Sequence, residues 1–187
     1  MRGGDERGEV PEGTAGPQVP EAFHPEIRRA SGEGTLINLL EAARKHEKTM
    51  GGAARQTVIW IICDVDQNEV HREALERWRR EGDRHRSALQ SAALEGWLLR
   101  HFDTPRRPST AAEAIKLLSV EWSRYAKGCD IPKWLIECTN EARHREKQLL
   151  KGQDNSGAWP VDRSSQMPAL IDYLDERARR RGWQACG

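Results

Sequence analysis

The most informative segment of the chain reads Thr57-Val58-Ile59-Trp60-Ile61-Ile62-Cys63, followed directly by Asp64-Val65-Asp66. Its first part is continuously apolar and rich in β-forming residues, with no alternation of polar and apolar positions. This pattern predicts a central, buried strand from Thr57 to Cys63. Because alternate side chains of a strand point the same way, Asp64 and Asp66 are expected to face one space beyond its carboxyl end.

Segments with helical spacing of apolar residues flank this strand on both sides. A first helix is predicted from Thr35 to about Lys48, and a second is expected to be capped by Asn68, to carry Val70 on its apolar stripe and to end before Gly82. A weaker extended stretch at 86–90 precedes an apolar segment at 93–102 that predicts a buried helix. Further helices are predicted at 110–128, opened by a capping box of Thr110 and Glu113, at about 130–150, and from Pro168 onward.

The length and element order indicate one α/β domain. The chain has 187 residues, which suits a single core. Residues 1–30 are rich in Pro, Gly and acidic side chains and poor in branched aliphatic ones, so they are expected to be disordered. Residues 31–187 are expected to form the domain, with a small, mostly parallel sheet, surrounding helices and a helix-rich C-terminal half.

Composition excludes several classes of protein. With 30 Lys+Arg against 29 Asp+Glu, the net charge of +1 does not indicate a nucleic-acid binder, so any such contact must come from a local patch. We find no apolar run of membrane-spanning length and no targeting segment, and therefore expect a soluble, cytoplasmic protein. The 4 cysteines are too scattered for a disulfide scaffold, which predicts reduced thiols.

Two motifs carry candidate chemistry. Asp64 and Asp66 offer hard anionic oxygens at the carboxyl end of a strand, where α/β sheets bind ligands, and such oxygens suit Mg²⁺ or Mn²⁺. The alternative is that both carboxylates only satisfy backbone donors in a turn. Spacing alone leaves these two interpretations open.

The second motif is the segment from Leu94 to Phe102, which contains Glu95 and His101. On a helix these two residues lie roughly 120° apart, so they are expected to have different roles. Glu95 could reach the sheet edge, and His101 could carry a proton or orient a phosphate. The alternative is a buried histidine with a structural hydrogen bond and a glutamate stabilised by the helix dipole.

Taken in order, these motifs resemble the RloB-like family of Toprim-fold proteins. The family has an apolar strand that enters Asp-x-Asp and later an Asn-Pro-x-Phe-Glu-x-Trp-Leu-Leu-x-His-Phe helix, and the resemblance spans about 36–174. Ser91-Ala92 stand in place of Asn-Pro, and Leu94 in place of Phe. The matching positions are Asp64, Asp66, Glu95, Trp97, Leu98, Leu99, His101 and Phe102, while Tyr125 and Lys127 resemble a later Tyr-x-Lys.

This resemblance implies a function. Toprim proteins cut or rejoin phosphodiester bonds with Mg²⁺, and RloB-like genes commonly accompany an ATPase in phage-defence or restriction loci. The implied protein is a Mg²⁺- or Mn²⁺-dependent nuclease component, with Asp64 and Asp66 as metal ligands and Glu95 and His101 as further catalytic residues. The resemblance leaves open whether its nucleic-acid substrate is DNA or RNA, and which oligomeric state it adopts.

The family's opening strand, which ends in Glu-Gly-x-x-Thr-Glu, has no counterpart in this sequence. Pro11-Glu12-Gly13-Thr14 repeats some of the letters but follows a charged, Gly-rich stretch. The chain therefore resembles a front-truncated member, with weak or absent activity and a bare sheet edge that invites pairing with another chain.

A different class of function is also open, namely a non-catalytic binding module that docks on a partner ATPase. The chain has 7 Trp but only 2 Phe and 2 Tyr, and tryptophan-rich surfaces are typical of interfaces. Exposure of Trp134, Trp159 or Trp183 would favour this alternative.

Overall fold

In a computed structural model, the described residues are 25–28, 35–52, 56–66, 68–103 and 106–180. Residues 25–28 have no regular structure. The rest of the predicted disordered segment, Glu12 with its neighbours, and Trp183 lie outside the described residues. The elements are α1 (Leu36–Met50), β1 (Ile59–Asp64), α2 (Arg72–Arg80), β2 (His85–Gln90), α3 (Leu94–Leu98), α4 (Ala111–Glu121), α5 (Lys133–Glu137), α6 (Thr139–Leu150) and α7 (Met167–Arg180), with 3₁₀ turns at Glu69–His71 and Leu99–His101.

The sheet confirms the α/β prediction. β1 and β2 pair in parallel, from Ile59 opposite His85 to Asp64 opposite Gln90, and α2 forms the crossover between them. Each strand also starts within two residues of its expected position. The apolar run is not a central strand in the described chain, however, because β2 is the one described strand that pairs with β1.

The outer edge of β2 is covered by the polar segment that precedes α7. The Gln166 amide donates to the Leu89 carbonyl at 3.0 Å, and the Gln166 side-chain oxygen accepts the Leu89 amide at 3.1 Å. The Ser165 hydroxyl donates to the Gln90 side chain at 2.5 Å. Side-chain and backbone groups of a loop therefore take the place of a third strand along this edge.

Two hydrophobic clusters hold the helices. The first joins α1, β1 and α2, and the second joins α3 with its following 3₁₀ turn, α4, α5 and α6. In α1, α2 and α4 the buried positions recur three or four residues apart, whereas α3 is buried at four consecutive residues. The fully buried members include Leu36, Leu75 and Trp78 in the first cluster and Leu99, Leu118 and Ala142 in the second.

The start of the second predicted helix differs from expectation. The Asn68 side chain makes no capping bond to that helix, which begins as a 3₁₀ turn, and Val70 is 83% exposed instead of lying on a buried stripe. Asn68 instead accepts the Leu36 amide at 2.9 Å, because the first amides of α1 lack partners within their own helix. The prediction that Asn68 caps the second helix is therefore wrong, since its side chain caps α1.

Helix ends in the C-terminal half follow local side-chain chemistry. Thr110 caps α4 as predicted, accepting the Glu113 amide at 3.1 Å. The helix ends at Glu121, well before Gly128, because Trp122 leaves it to pack between Tyr125 and Trp134. The helix predicted at 130–150 is divided after α5, where the hydroxyl of Thr139 donates to the Ile136 carbonyl.

The cysteines and the lengths of the helices bear on two expectations from composition. Cys63, Cys129 and Cys138 are free thiols, as predicted. Within the described part of the chain, every helix is too short or too polar to cross a membrane.

Candidate functional site

Asp64 is the last residue of β1 and joins that strand to α3. Its Oδ1 accepts the Leu94 amide at 2.9 Å. That amide opens α3, whose N-cap position is an alanine without a capping side chain, so Asp64 supplies the missing acceptor from another element. The other oxygen of Asp64 has no hydrogen-bond donor among the described residues.

The turn after β1 is held by Asn68. Its side-chain amide donates to the carbonyls of Asp64 at 2.9 Å and Asp66 at 3.2 Å, while its oxygen accepts the amide of Leu36. One side chain thus fixes the strand end, the turn and the start of α1. These bonds add to the pairing of Asp64 with Gln90 in the sheet.

Glu95 lies beside Asp64 and is almost completely buried. It is the second residue of α3 and is only 6% exposed. Its Oε1 accepts the Tyr125 hydroxyl at 2.5 Å. Burial, together with the bond to Glu95, raises the pKa of Tyr125, which keeps the phenol protonated as a donor. Tyr125 therefore fixes the orientation of the Glu95 carboxylate.

The charges at this site act on one another. Burial, followed by the nearby Glu95 carboxylate, raises the pKa of Asp64 from its ordinary value to about 6. The Leu94 amide and the Lys127 ammonium oppose that rise. The site therefore concentrates negative charge that Lys127 compensates in part. We call Asp64, Glu95, Tyr125 and Lys127 the acidic cluster.

Asp66 is placed differently from Asp64. β1 ends at Asp64, so strand alternation does not extend to Asp66, which is exposed in the following turn. Its charge also raises the pKa of Asp64, but less than that of Glu95 does. Glu95 rather than Asp66 is thus the stronger electrostatic partner of Asp64.

His101 lies in the 3₁₀ turn that follows α3, and this turn packs against α6. Its Nδ1 is 3.2 Å from the Leu98 carbonyl, and its ring packs edge-on against Trp97. Burial, the largest effect, lowers the pKa of His101, and the α6 charges that act on it are Arg145 and Glu141. A catalytic role for His101 remains a prediction, because its described contacts are the hydrogen bond and packing of a buried histidine.

A buried ion pair, which the sequence analysis did not predict, joins the turn after α3 to α6. Arg100 Nε donates to Glu146 Oε2 at 2.6 Å, and each side chain is 1% exposed. Arg100 also donates to the carbonyls of Arg106 and Arg163, and Glu146 accepts the Ser165 amide at 2.8 Å. These bonds satisfy both charges and anchor the end of α3 to α6.

Sequence reasoning also left Tyr125 and Lys127 out of the predicted site. They lie in the irregular segment after α4, two residues apart, and both contribute to the acidic cluster. The sequence signal for these two residues is the Tyr-x-Lys spacing, which belongs to the family resemblance. Among the described residues, no three His, Cys, Asp or Glu side chains form a group that could hold a metal ion. Any ion here would therefore keep much of its water shell.

Comparison with known proteins gives one finding. A family model described as RloB-like protein matches residues 13–174. This chain belongs to the RloB-like family. The match contains the whole acidic cluster, His101 and the Arg100–Glu146 pair of this RloB-like chain. It begins at Gly13, inside the segment that repeats part of the family's opening motif, and this segment lies outside the described residues. No curated protein and no solved structure matches the chain.

Proposed function

We propose that this RloB-like chain is a metal-dependent nuclease component that hydrolyses phosphodiester bonds in nucleic acid. The observation that supports this most is the pairing of Asp64 with Glu95 at the carboxyl end of β1, next to Lys127. Hydrolysis of a phosphodiester needs compensation of negative charge and activation of water, and clustered carboxylates with a neighbouring cation suit both tasks. By the family resemblance, the reaction serves phage defence or restriction.

The residues present fit a hydrated Mg²⁺ or Mn²⁺. Among the described residues, one carboxylate oxygen of Asp64 has no hydrogen-bond donor, and the carboxylates of Glu95 and Asp66 both act electrostatically on Asp64. Mg²⁺ is usually held by one or two carboxylates and retains several waters, so a larger protein cage is not required. A bound ion would supply positive charge beside the scissile phosphate and promote attack by water.

The other members of the acidic cluster have supporting roles in this proposal. Tyr125 orients the Glu95 carboxylate through its 2.5 Å hydrogen bond. Lys127 carries a positive charge within electrostatic reach of Asp64 and is exposed, so it can approach a substrate phosphate. His101 would carry a proton only if α3 or its neighbours move, because the turn that contains it packs against α6.

The test is cleavage of nucleic acid by the purified full chain. Single-stranded DNA, duplex DNA and tRNA are incubated with Mn²⁺ or Mg²⁺, and products are followed on denaturing gels. We expect Asp64→Asn and Glu95→Gln each to reduce cleavage by at least about 100-fold, because each removes a carboxylate at the reacting phosphate. Calorimetry with Mn²⁺ should show weak binding that Asp64→Asn abolishes.

The matched control is Glu41→Gln, which removes one exposed carboxylate from α1. It should cleave and bind Mn²⁺ like the wild type. Cleavage that survives Asp64→Asn, or that persists in excess chelator, would contradict the proposal.

One observation favours a second function, docking on a partner ATPase. Trp134 and Ile136 of α5 are 45% and 59% exposed, whereas Trp159 is partly buried against the first cluster. Trp134 packs edge-on against Phe102 and Trp122, so its ring is held in a fixed position. Exposed, fixed aromatic rings are common at protein interfaces. Pull-down of an ATPase encoded beside this chain's gene by the wild type, and not by Trp134→Ser, would support this role.

A further inference from the structure

A polar cleft lies at the end of the sheet opposite the acidic cluster. Its volume is about 400 Å³, and its lining includes Trp60, Arg79, Arg86, Ser156 and Gln166. Trp60 and Asp64 are four residues apart on β1, so the two sites are separated by roughly 13 Å along the strand. None of the acidic cluster lines this cleft.

Arg86 enters the cleft from β2 and is held there by aromatic rings. Its guanidinium carbon lies 5.0 Å from the centre of the Tyr173 ring and 5.7 Å from that of Trp60. Ring contacts of this kind fix a guanidinium group in place while its N–H groups remain available. No described carboxylate lies within ion-pair distance of Arg86.

Arg79 reaches the same cleft from the end of α2. Its Nη1 donates to the Ser156 carbonyl at 3.2 Å, and among the described residues it too has no carboxylate partner. Burial, followed by the positive charge of Arg86, lowers the pKa of Arg79. The two arginines are therefore close enough in this partly buried place for their charges to repel each other.

The remaining lining shows what such a cleft could accept. The Trp60 indole nitrogen is buried and has no hydrogen-bond acceptor among the described residues. The side chains of Asn155, Ser156 and Gln166 are already hydrogen-bonded within the fold, and the single acidic residue of the lining, Asp83, is exposed. The donors of this cleft without a described partner are therefore the Trp60 indole and the remaining N–H groups of the two arginines.

We propose that the cleft between Arg79 and Arg86 binds a phosphate group. Two guanidinium groups offer the planar N–H pairs that bind phosphate oxygens, and a phosphate removes the repulsion between them. Trp60 adds a flat ring to the lining, and Tyr173 contacts the Arg86 guanidinium. The phosphate group belongs either to a free nucleotide or pyrophosphate or to a nucleic-acid backbone. This site does not depend on the nuclease activity proposed above, since it uses other residues.

The experiment measures binding by the full chain in excess chelator, so that metal-dependent chemistry at the acidic cluster plays no part. Inorganic pyrophosphate, adenosine monophosphate and a ten-nucleotide single-stranded DNA are titrated separately and followed by calorimetry and tryptophan fluorescence. We expect saturable binding of at least one probe, weakened at least tenfold by Arg79→Gln and by Arg86→Gln. Binding of the small probes assigns the cleft to a free phosphate ligand, and binding of DNA alone assigns it to a backbone.

Two further variants make the result specific. Arg44→Gln removes a surface arginine that is ion-paired with Glu81, and it should bind like the wild type. Arg86→Lys keeps the charge but loses the planar group, and it should weaken binding less than Arg86→Gln while retaining the wild-type circular dichroism spectrum. The proposal would be overturned if none of the three probes binds, or if Arg44→Gln weakens binding as much as Arg79→Gln does.

Discussion

At the level of one residue, Asp64 carries a charge that lowers the stability of the fold. Its carboxylate is half-buried and lies beside Glu95, and its pKa is raised to about 6. Between that value and the ordinary value near 3.9, the folded state binds more protons than the unfolded state. The ionised form therefore destabilises the fold above about pH 6, and this effect disappears as the pH falls toward 4.

The substitution Asp64→Asn tests this directly. The amide keeps an oxygen that can accept the Leu94 amide but carries no charge. In chelator at pH 7.5 we expect the variant to be more stable than wild type by about 1–2 kcal/mol, allowing for partial screening by solvent, and the difference to vanish near pH 4. Urea unfolding across this pH range measures it. Glu41→Gln should show no such trend, and a pH-independent difference for Asp64→Asn would refute the assignment.

At the level of elements, the Arg100–Glu146 pair connects the end of α3 with α6. Both charges are buried, so removing one partner leaves the other without compensation. We expect Glu146→Leu to lower the free energy of unfolding by about 3–5 kcal/mol, whereas Glu146→Leu combined with Arg100→Met should recover much of that loss. Chemical denaturation measures both.

The surface pair Arg44–Glu81 is the matched control. Both of its side chains are more than two-fifths exposed, and Arg44→Met should cost less than about 1 kcal/mol. If the double variant at 100 and 146 were no more stable than Glu146→Leu alone, the loss would not come from an uncompensated charge.

The order of the elements was predictable from sequence, whereas contacts between distant segments were not. Apolar spacing located α1 and α7 within a few residues, because burial of one face imposes that spacing, and a continuous apolar run located β1. Spacing carries no information on what a polar side chain meets across the fold. For this reason the spacing did not predict that the Asn68 side chain caps α1 and not the helix that follows Asn68. Tyr125 reached Glu95 from an irregular segment that no period describes.

For the whole molecule, the edge of β1 with which no described strand pairs is the clearest liability. The amides of Ile59 and Val65 donate toward β2, so strand alternation directs the backbone groups of Trp60 and Ile62 to the other edge. No described strand pairs with that edge, and Ile62 is 45% exposed. An apolar strand with an unpaired edge is a template for association between chains.

We expect the purified chain to associate as its concentration rises, and Ile62→Lys to reduce this association because a charged edge strand resists pairing. Light scattering after size-exclusion chromatography measures the change. Val70→Lys adds the same charge at another exposed position and should have little effect. A wild-type chain that stays monomeric at high concentration would count against an accessible edge.

The Arg100–Glu146 pair also has a consequence for synthesis on the ribosome. The two residues are 46 positions apart, and Arg100 also needs the carbonyl of Arg163, a further 17 positions on. Since Glu95 and Arg100 share one short helical segment, the ion pair that anchors this segment cannot form until α6 and the segment before α7 have left the exit tunnel. The residues of the sheet are therefore synthesised before the part of the chain that anchors the segment after them. During this interval a nascent chain would need a chaperone.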